Sequence, residues 1–193
     1  LVDYGMVSAE YFYQLGLTDF ANFGAIRFGP PLNLHELLQV GVQQLKSQEP
    51  DSTDFDWDEV IPAVVEQLIS RRDMLAEYFA LEISEEGELL SIPLLVKGYM
   101  PSMAKLPNFL LRLGPHIDWQ NEGACFQSFL RELASYYVPE ALPGISGSDG
   151  ETITPRRDEL HRAIENNLFP AFKARLVATK SLLKGTVEVA NLK

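Results

Sequence analysis

The sequence is poor in the side chains that do chemistry: it has one cysteine, Cys125, and three histidines, His35, His116 and His161. A lone cysteine excludes an internal disulfide and any zinc site built from several thiolates, and it fits a reducing compartment, nuclear or cytosolic. The histidines lie far apart, and none has a second histidine or a cysteine at metal-ligand spacing. Long apolar runs are also missing. No stretch reaches the roughly 20 residues that a membrane helix needs, and the start has neither a basic segment nor a small-residue cleavage site, so no membrane span or export signal is expected. Positive charge is scarce, with 16 Lys and Arg against 27 Asp and Glu, a net charge of -11 and a pI of about 4.7. Phosphate-binding surfaces gather Lys and Arg, usually with a domain pI above about 9. Direct nucleic-acid binding by this chain is therefore not expected.

What remains is a chain of 193 residues, 46% apolar, long enough for one good core or two small subdomains sharing one. Leu1-Val2-Asp3-Tyr4 reads like the second half of a strand with no methionine before it, which suggests a piece of a longer protein. Residues 75–119 are dense in apolar segments and turn signals but nearly empty of catalytic groups. Their only histidine is His116, and the acids Glu85, Glu86 and Glu88 gather in a turn. Such a segment acts by surface rather than by reaction.

The pattern of apolar residues predicts an α+β unit with helices in the majority. Ser8 is placed to cap a helix bearing Tyr11, Phe12 and Leu15, followed by Phe20 and Phe23. Ala25-Ile26-Arg27-Phe28 alternates like a short strand that Gly29-Pro30-Pro31 should stop. Asn33 and Glu36 have capping-box spacing ahead of Leu37, Leu38, Val42 and Leu45. Val60, Ile61, Val64, Leu68, Leu75 and Phe79 trace one long amphipathic helix, with Pro62 near its first turn. Ser84-Glu85-Glu86-Gly87 joins two strands of a hairpin, and Ile92-Pro93-Leu94-Leu95-Val96 is expected at a sheet edge because of its proline. Residues 103–113 suit a short helix with Leu106, Phe109, Leu110 and Leu113 inward. Asn121 should start another, burying Phe126, Phe129, Leu130, Leu133 and Tyr137. Residues 143–150 form a Gly/Ser loop. Helices are expected from Thr154-Pro155 through Leu168 and from Pro170 to Leu183, with a closing strand at Thr186-Val187-Glu188-Val189.

Two fragments resemble functional motifs only partly. Asp54-Phe55-Asp56-Trp57-Asp58 has the alternation of a calcium loop, but Glu59 stands where glycine is needed and Val65 where the bidentate acid belongs. Acids leading into a helix N-terminus explain the run better. Gly144-Ile145-Ser146-Gly147-Ser148 lacks the last glycine of a nucleophile elbow and the strand that should precede it. Cys125, just inside an apolar helical face, suits the core.

Three stretches together resemble the C-terminal domain of the MutL-homologue family of DNA mismatch-repair proteins. They are Glu10-Tyr11-Phe12-Tyr13-Gln14 through Asp19-Phe20-Ala21-Asn22-Phe23-Gly24, the run 75–119 with its L-P-L-L, Y-x-P, L-P-x-F, R-L-G and D-W phrases, and Val187-Glu188-Val189-Ala190-Asn191-Leu192. The likeness covers almost the whole chain, thins at residues 46–56 and 144–153, and is strongest to the shared Mlh-type subunit of the eukaryotic heterodimers. It implies a MutL C-terminal-domain-like fold, with a dimerisation layer from residues 1–28 and 121–193 and a smaller α/β subdomain inserted at 29–120.

Nuclease-competent members of that family carry D-Q-H-A-x-x-E-R-x-x-x-E at the opening. Here Asp3 remains, but Gly5 replaces the histidine, Ala9 the middle glutamate and Gln14 the last. A second metal-binding phrase, C-P-H-G-R-P-like, would fall near Val189-Ala190-Asn191-Leu192, where no ligand residue stands. Metal-assisted hydrolysis needs several converging ligands, so the resemblance implies a non-catalytic domain with no catalytic or metal residue and no cofactor. It also implies a nuclear setting, an ATPase domain elsewhere in the full-length protein, and heterodimerisation with a PMS-type or meiotic nuclease subunit. Tyr11, Gln14 and Leu15, with Val189 and Leu192, are expected near that partner, ordinary core packing being the alternative for each. Leu106 and Glu122 match positions implicated in docking short basic-aromatic peptides of repair exonucleases and other repair factors, a solvated Glu122 at a helix start being the alternative. Two further functions stay open: a homodimeric scaffold, and a metal-dependent endonuclease with a non-standard site.

Overall fold

The computed structural model describes residues 3–48, 56–140, 150–180 and 182; at residues 150–156 only the backbone is described. Helix α1 spans Tyr4–Thr18, and its cap is Asp3, whose Oδ1 accepts from the amides of Gly5 at 2.9 Å and Met6 at 3.1 Å. An aspartate that satisfies two of the free amides of a first turn starts a helix by itself. The helix therefore begins well before Ser8, which lies fully buried inside it instead of capping it. Tyr4 belongs to α1 rather than to an opening strand; Leu1 and Val2 lie outside the described residues.

The sheet has three antiparallel strands in the order β1-β3-β2, with β1 at Gly24–Asn33, β2 at Glu82–Ile83 and β3 at Glu88–Leu94. Two expectations are corrected here. Strand β1 continues through Pro30 and Pro31 because its pairing with β3 shifts between Arg27 and Leu32, and prolines fit a bulge where no ladder amide is required. The segment expected at an edge is the second half of the central strand. Pro93 pairs with Ala25 of β1 but lies beyond Ser91, where β2 ends, so its missing N–H forfeits no bond on the β2 side. The hairpin forms as its sequence suggests: Gly87 takes φ +81°, and Ser84 Oγ accepts from the amides of Glu86 and Glu88.

Helix α2, Leu34–Gln48, starts on Asn33, whose Oδ1 accepts from Glu36 N at 3.1 Å. The expected long helix is two, α3 at Trp57–Ser70 and α4 at Arg72–Phe79. At the joint, Ser70 Oγ donates to the Gln67 carbonyl and Arg71 N to the Leu68 carbonyl, three residues back in each case. These bonds compete with the regular helical ladder. Val64, Leu68, Leu75 and Phe79 are nevertheless all buried, so the periodicity read the apolar face correctly while missing the break. Pro62 sits inside α3, past its first turn.

A 3-10 turn at Met103–Lys105 leads into α5, Leu106–Arg112, and Asn121 caps α6, Glu122–Tyr137, by accepting from Ala124 N at 3.0 Å. The backbone of α7 is helical from Gly150 to Ala163, ahead of the expected start at Thr154. A π-helical turn, Ile164–Leu168, joins it to α8, Phe169–Arg175. Chain extension at Leu176 ends α8 before the expected limit at Leu183. The expected closing strand, the expected loop before Gly150 and Asp54 of the acidic run lie outside the described residues.

An aromatic core joins these elements. Phe79 stacks on Phe129 with ring centroids 3.8 Å apart, Phe20 contacts Tyr78, Phe79 and Phe126, and Phe12 contacts Tyr99 and Tyr137. Tyr99 donates its hydroxyl to the Tyr137 carbonyl at 2.9 Å, and Tyr137 donates to the Pro93 carbonyl. Buried hydroxyls with acceptors keep such rings from costing stability. The cluster unites residues from both sides of the expected divisions at 28 and 121, and β1 runs across residue 28. No helix among the described residues is long and apolar enough to cross a membrane.

Candidate partner-binding face

Helix α1 holds most of the positions that the sequence singles out, and its two faces treat them differently. On the inner face Tyr11 and Leu15 are 2% and 3% exposed, so both pack in this chain's own core. Tyr11 meets Phe12 and Phe172 edge-on, which carries α8 onto α1. Burial raises the Tyr11 hydroxyl above its ordinary pKa, with nearby Arg175 opposing the shift.

The remnants of the metal motif have structural work. Asp3 is a helix cap, with Gly5 as one of its amide donors. Gln14 uses both ends of its amide on one residue: Nε2 donates to the Val177 carbonyl and Oε1 accepts from Val177 N, each at 2.9 Å. Nε2 also donates to Glu10 Oε1 at 2.7 Å. A glutamate at this position could accept from Val177 but could not donate to it. Beside this clamp, Arg175 makes two bonds to Asp19, at 2.6 and 2.8 Å, and its guanidinium holds the Asp19 carboxyl below its usual pKa.

Among the described residues the outer face of α1 is open. Met6 and Leu17 are 45% and 53% exposed, and Val177 opposite is 66% exposed. Two cavities lie along this helix and share Glu10 and Tyr13. One, of about 620 Å³, has Met6, Ala9, Ala134, Val138 and Leu182 in its wall, with the cations Lys105 and Arg131. The other, of about 390 Å³, runs between Gln14, Leu17, Arg175 and Val177. Mixed apolar and charged grooves of this size can receive a segment of another molecule.

Lys105 is a charged group that sequence reasoning missed. Its Nζ donates to the carbonyls of Ser135, Tyr136 and Val138 at 2.7, 2.9 and 2.8 Å, satisfying the C-terminal end of α6. Burial lowers its pKa to about 8, with Glu140 opposing the shift. No local pattern announces this role, because the acceptors lie about thirty residues further along the chain.

The remaining candidates do not assemble. Leu106 is 1% exposed, directly after Lys105 at the C-terminal end of α6, whereas Glu122 is exposed at that helix's N-terminus. Cys125 is buried and its thiol pKa is raised by desolvation, as suits a core residue. His35, His116 and His161 are exposed. Among the described residues no group of three or more His, Cys, Asp and Glu side chains could hold a metal ion. Val189 and Leu192 lie outside the described residues.

Residues 1–193 match the sequence model of a family described as DNA mismatch repair protein Mlh1 C-terminus. The chain belongs to this Mlh1 C-terminal family. It is 36% identical over 207 residues to DNA mismatch repair protein MLH1 of Saccharomyces cerevisiae (strain ATCC 204508 / S288c), covering 100% of this chain and 26% of that protein. It is 35% identical over 140 residues to DNA mismatch repair protein Mlh1 of Dictyostelium discoideum, covering 72% of this chain and 16% of that protein. The chain thus spans about a quarter or less of the length of these relatives. The resemblance to the MutL-homologue repair proteins and the α+β fold class are both correct.

Proposed function

We propose that this domain is the heterodimerisation and partner-docking part of a MutL-type mismatch-repair complex, acting in the nucleus, with no activity and no cofactor of its own. Its partner is a PMS-type or meiotic subunit that carries the nuclease site. Family membership supports the repair role. The observation that carries the partner-binding role is the use of α1. Positions that hold metal ligands in nuclease-bearing relatives are here a cap, a small side chain and an amide clamp, while the outer face of the same helix offers apolar side chains and two grooves.

The deciding experiment mixes this domain with a PMS-type C-terminal domain and measures mass by sedimentation equilibrium. A stable one-to-one complex is expected. An unchanged homodimer would support the self-associating scaffold instead. Nicking of supercoiled DNA with manganese by this domain alone, lost on Asp3→Asn, would restore the nuclease reading.

A further inference from the structure

The larger groove on α1 has a chemical preference. Of its two cations, Lys105 has already given its three N–H donors to three carbonyls. Arg131 has not. Its guanidinium lies over the Tyr13 ring, 4.8 Å from the centroid, and among the described residues it makes no ion pair or hydrogen bond. A guanidinium held over an aromatic face by its charge keeps N–H groups available, and these can bind a carboxylate with two parallel bonds. Glu10, the acid in the same wall, accepts from Gln14 at one of its oxygens. The rest of the wall includes Met6, Ala9, Ala134 and Val138. In a chain of net charge -11, an acidic partner is repelled by most of the surface, and among the described residues neither cation of this wall is in an ion pair, although Glu140 acts on Lys105 electrostatically.

We infer that the groove between α1 and α6 receives a segment of the partner chain that presents a carboxylate among apolar side chains, and that Arg131 binds that carboxylate. The inference rests on the proposed heterodimerisation through α1 and adds the chemistry of the contact. Apolar neighbours on the segment meet Met6, Ala9 and Val138, and exclude water from the Arg131 pair, which strengthens it.

The test measures the dissociation constant for a PMS-type C-terminal domain by isothermal titration at 50 and 300 mM NaCl. The wild-type domain is compared with Arg131→Ala, Arg131→Lys and Arg131→Glu, and with Arg72→Ala at the hairpin as a control. Thermal melts of each variant, matched to wild type, establish folding. The expected result is binding weakened at least tenfold by Arg131→Glu and several-fold by Arg131→Ala. Arg131→Lys should recover part of the affinity, and Arg131→Ala should lose part of the salt dependence. A complex whose affinity is the same in wild type, Arg131→Ala and Arg131→Glu overturns the carboxylate contact and leaves heterodimerisation standing. Absence of any wild-type complex overturns the heterodimerisation reading and this inference with it. Self-association of the wild type that Arg131→Glu abolishes would make the occupant a second copy of this chain and overturn a distinct partner.

Discussion

Two helix pairs in this domain pack by similar means and end differently. Helices α2 and α5 are closed on one another: Gly41 lies so near α5 that a Cβ there would stand 2.9 Å from the Pro107 carbonyl oxygen, and Leu34, Leu38 and Val42 bury the rest of the contact. Helices α1 and α6 are equally tight on their shared inner side, where Phe12, Leu15, Leu130 and Tyr137 are buried. Among the described residues their outer side is unfilled, with exposed Met6, the Arg131 corner and a cavity of about 620 Å³. The difference separates residues that hold the fold from residues available to something else, although both kinds are apolar.

Phe129 lies where the two pairs meet, stacked on Phe79 and edge-on to Phe109, so its removal should break both. Phe129→Ala is expected to cost about 3–5 kcal/mol in urea unfolding, as large-to-small changes of buried aromatics do. A loss under about 1 kcal/mol would mean that the pairs are independent units.

Gly41→Ala distinguishes them. The atom that a new methyl would meet is backbone carbonyl rather than a flexible side-chain end, so α2 and α5 must separate, at a cost of about 1–3 kcal/mol. Pro107 stands two residues from Lys105 in the groove wall, so any change in partner affinity should be smaller than the loss of stability and follow from it. Weakened association without lost stability would place the partner surface on α2 and α5 instead.

Gln14→Glu acts on the other pair with a smaller effect. It keeps the shape and the acceptor for Val177 N but removes the donor to the Val177 carbonyl and to Glu10 and sets two carboxylates side by side, a loss of about 1–2 kcal/mol at this exposed site. Hydrogen exchange should show the Val177 amide less protected and the amides of α2 unchanged. Equal protection of Val177 in both proteins would mean that the segment after α8 is held by the Arg175–Asp19 pair alone.

Much of this contrast was readable from the sequence, but unevenly. Asn33, Gly87 and Asn121 announced their elements because capping and turn chemistry act within a few residues. The inward set Phe109, Leu110, Leu113, Phe129, Leu130 and Leu133 followed from helical period. What was missed depends on distant partners. Pro93 looked like an edge residue because the short reach of β2 is not encoded near it, and Pro30 and Pro31 looked like a stop because the bulge is defined by β3. Tyr11 and Leu15 were legible as apolar, yet sequence alone does not say whether an apolar residue faces its own core or another chain. Lys105 and Arg131 carried no signal, since a cation's role is set by carbonyls and rings that arrive from elsewhere in the fold.

The smallest expected effect concerns Lys105, a charged group fixed between the closed and open pairs. Desolvation disfavours its ammonium, so the folded chain releases that proton near pH 8 while the unfolded chain holds it to about 10.5. Below pH 8 both states bind the proton and the pH slope from this group vanishes. Between pH 8 and about 10.5 the unfolded state binds more, so unfolding free energy from this group rises with pH. Water reaches the half-buried side chain, and the gain is correspondingly less than the full shift implies. Urea midpoints of wild type and Lys105→Gln at pH 7, 8.5 and 10 isolate the term: the wild type should gain relative to the variant as pH rises. A constant difference would show that the three carbonyls at the end of α6 offset the cost of burial entirely, making Lys105 as firm a support for the open pair as any residue in the closed one.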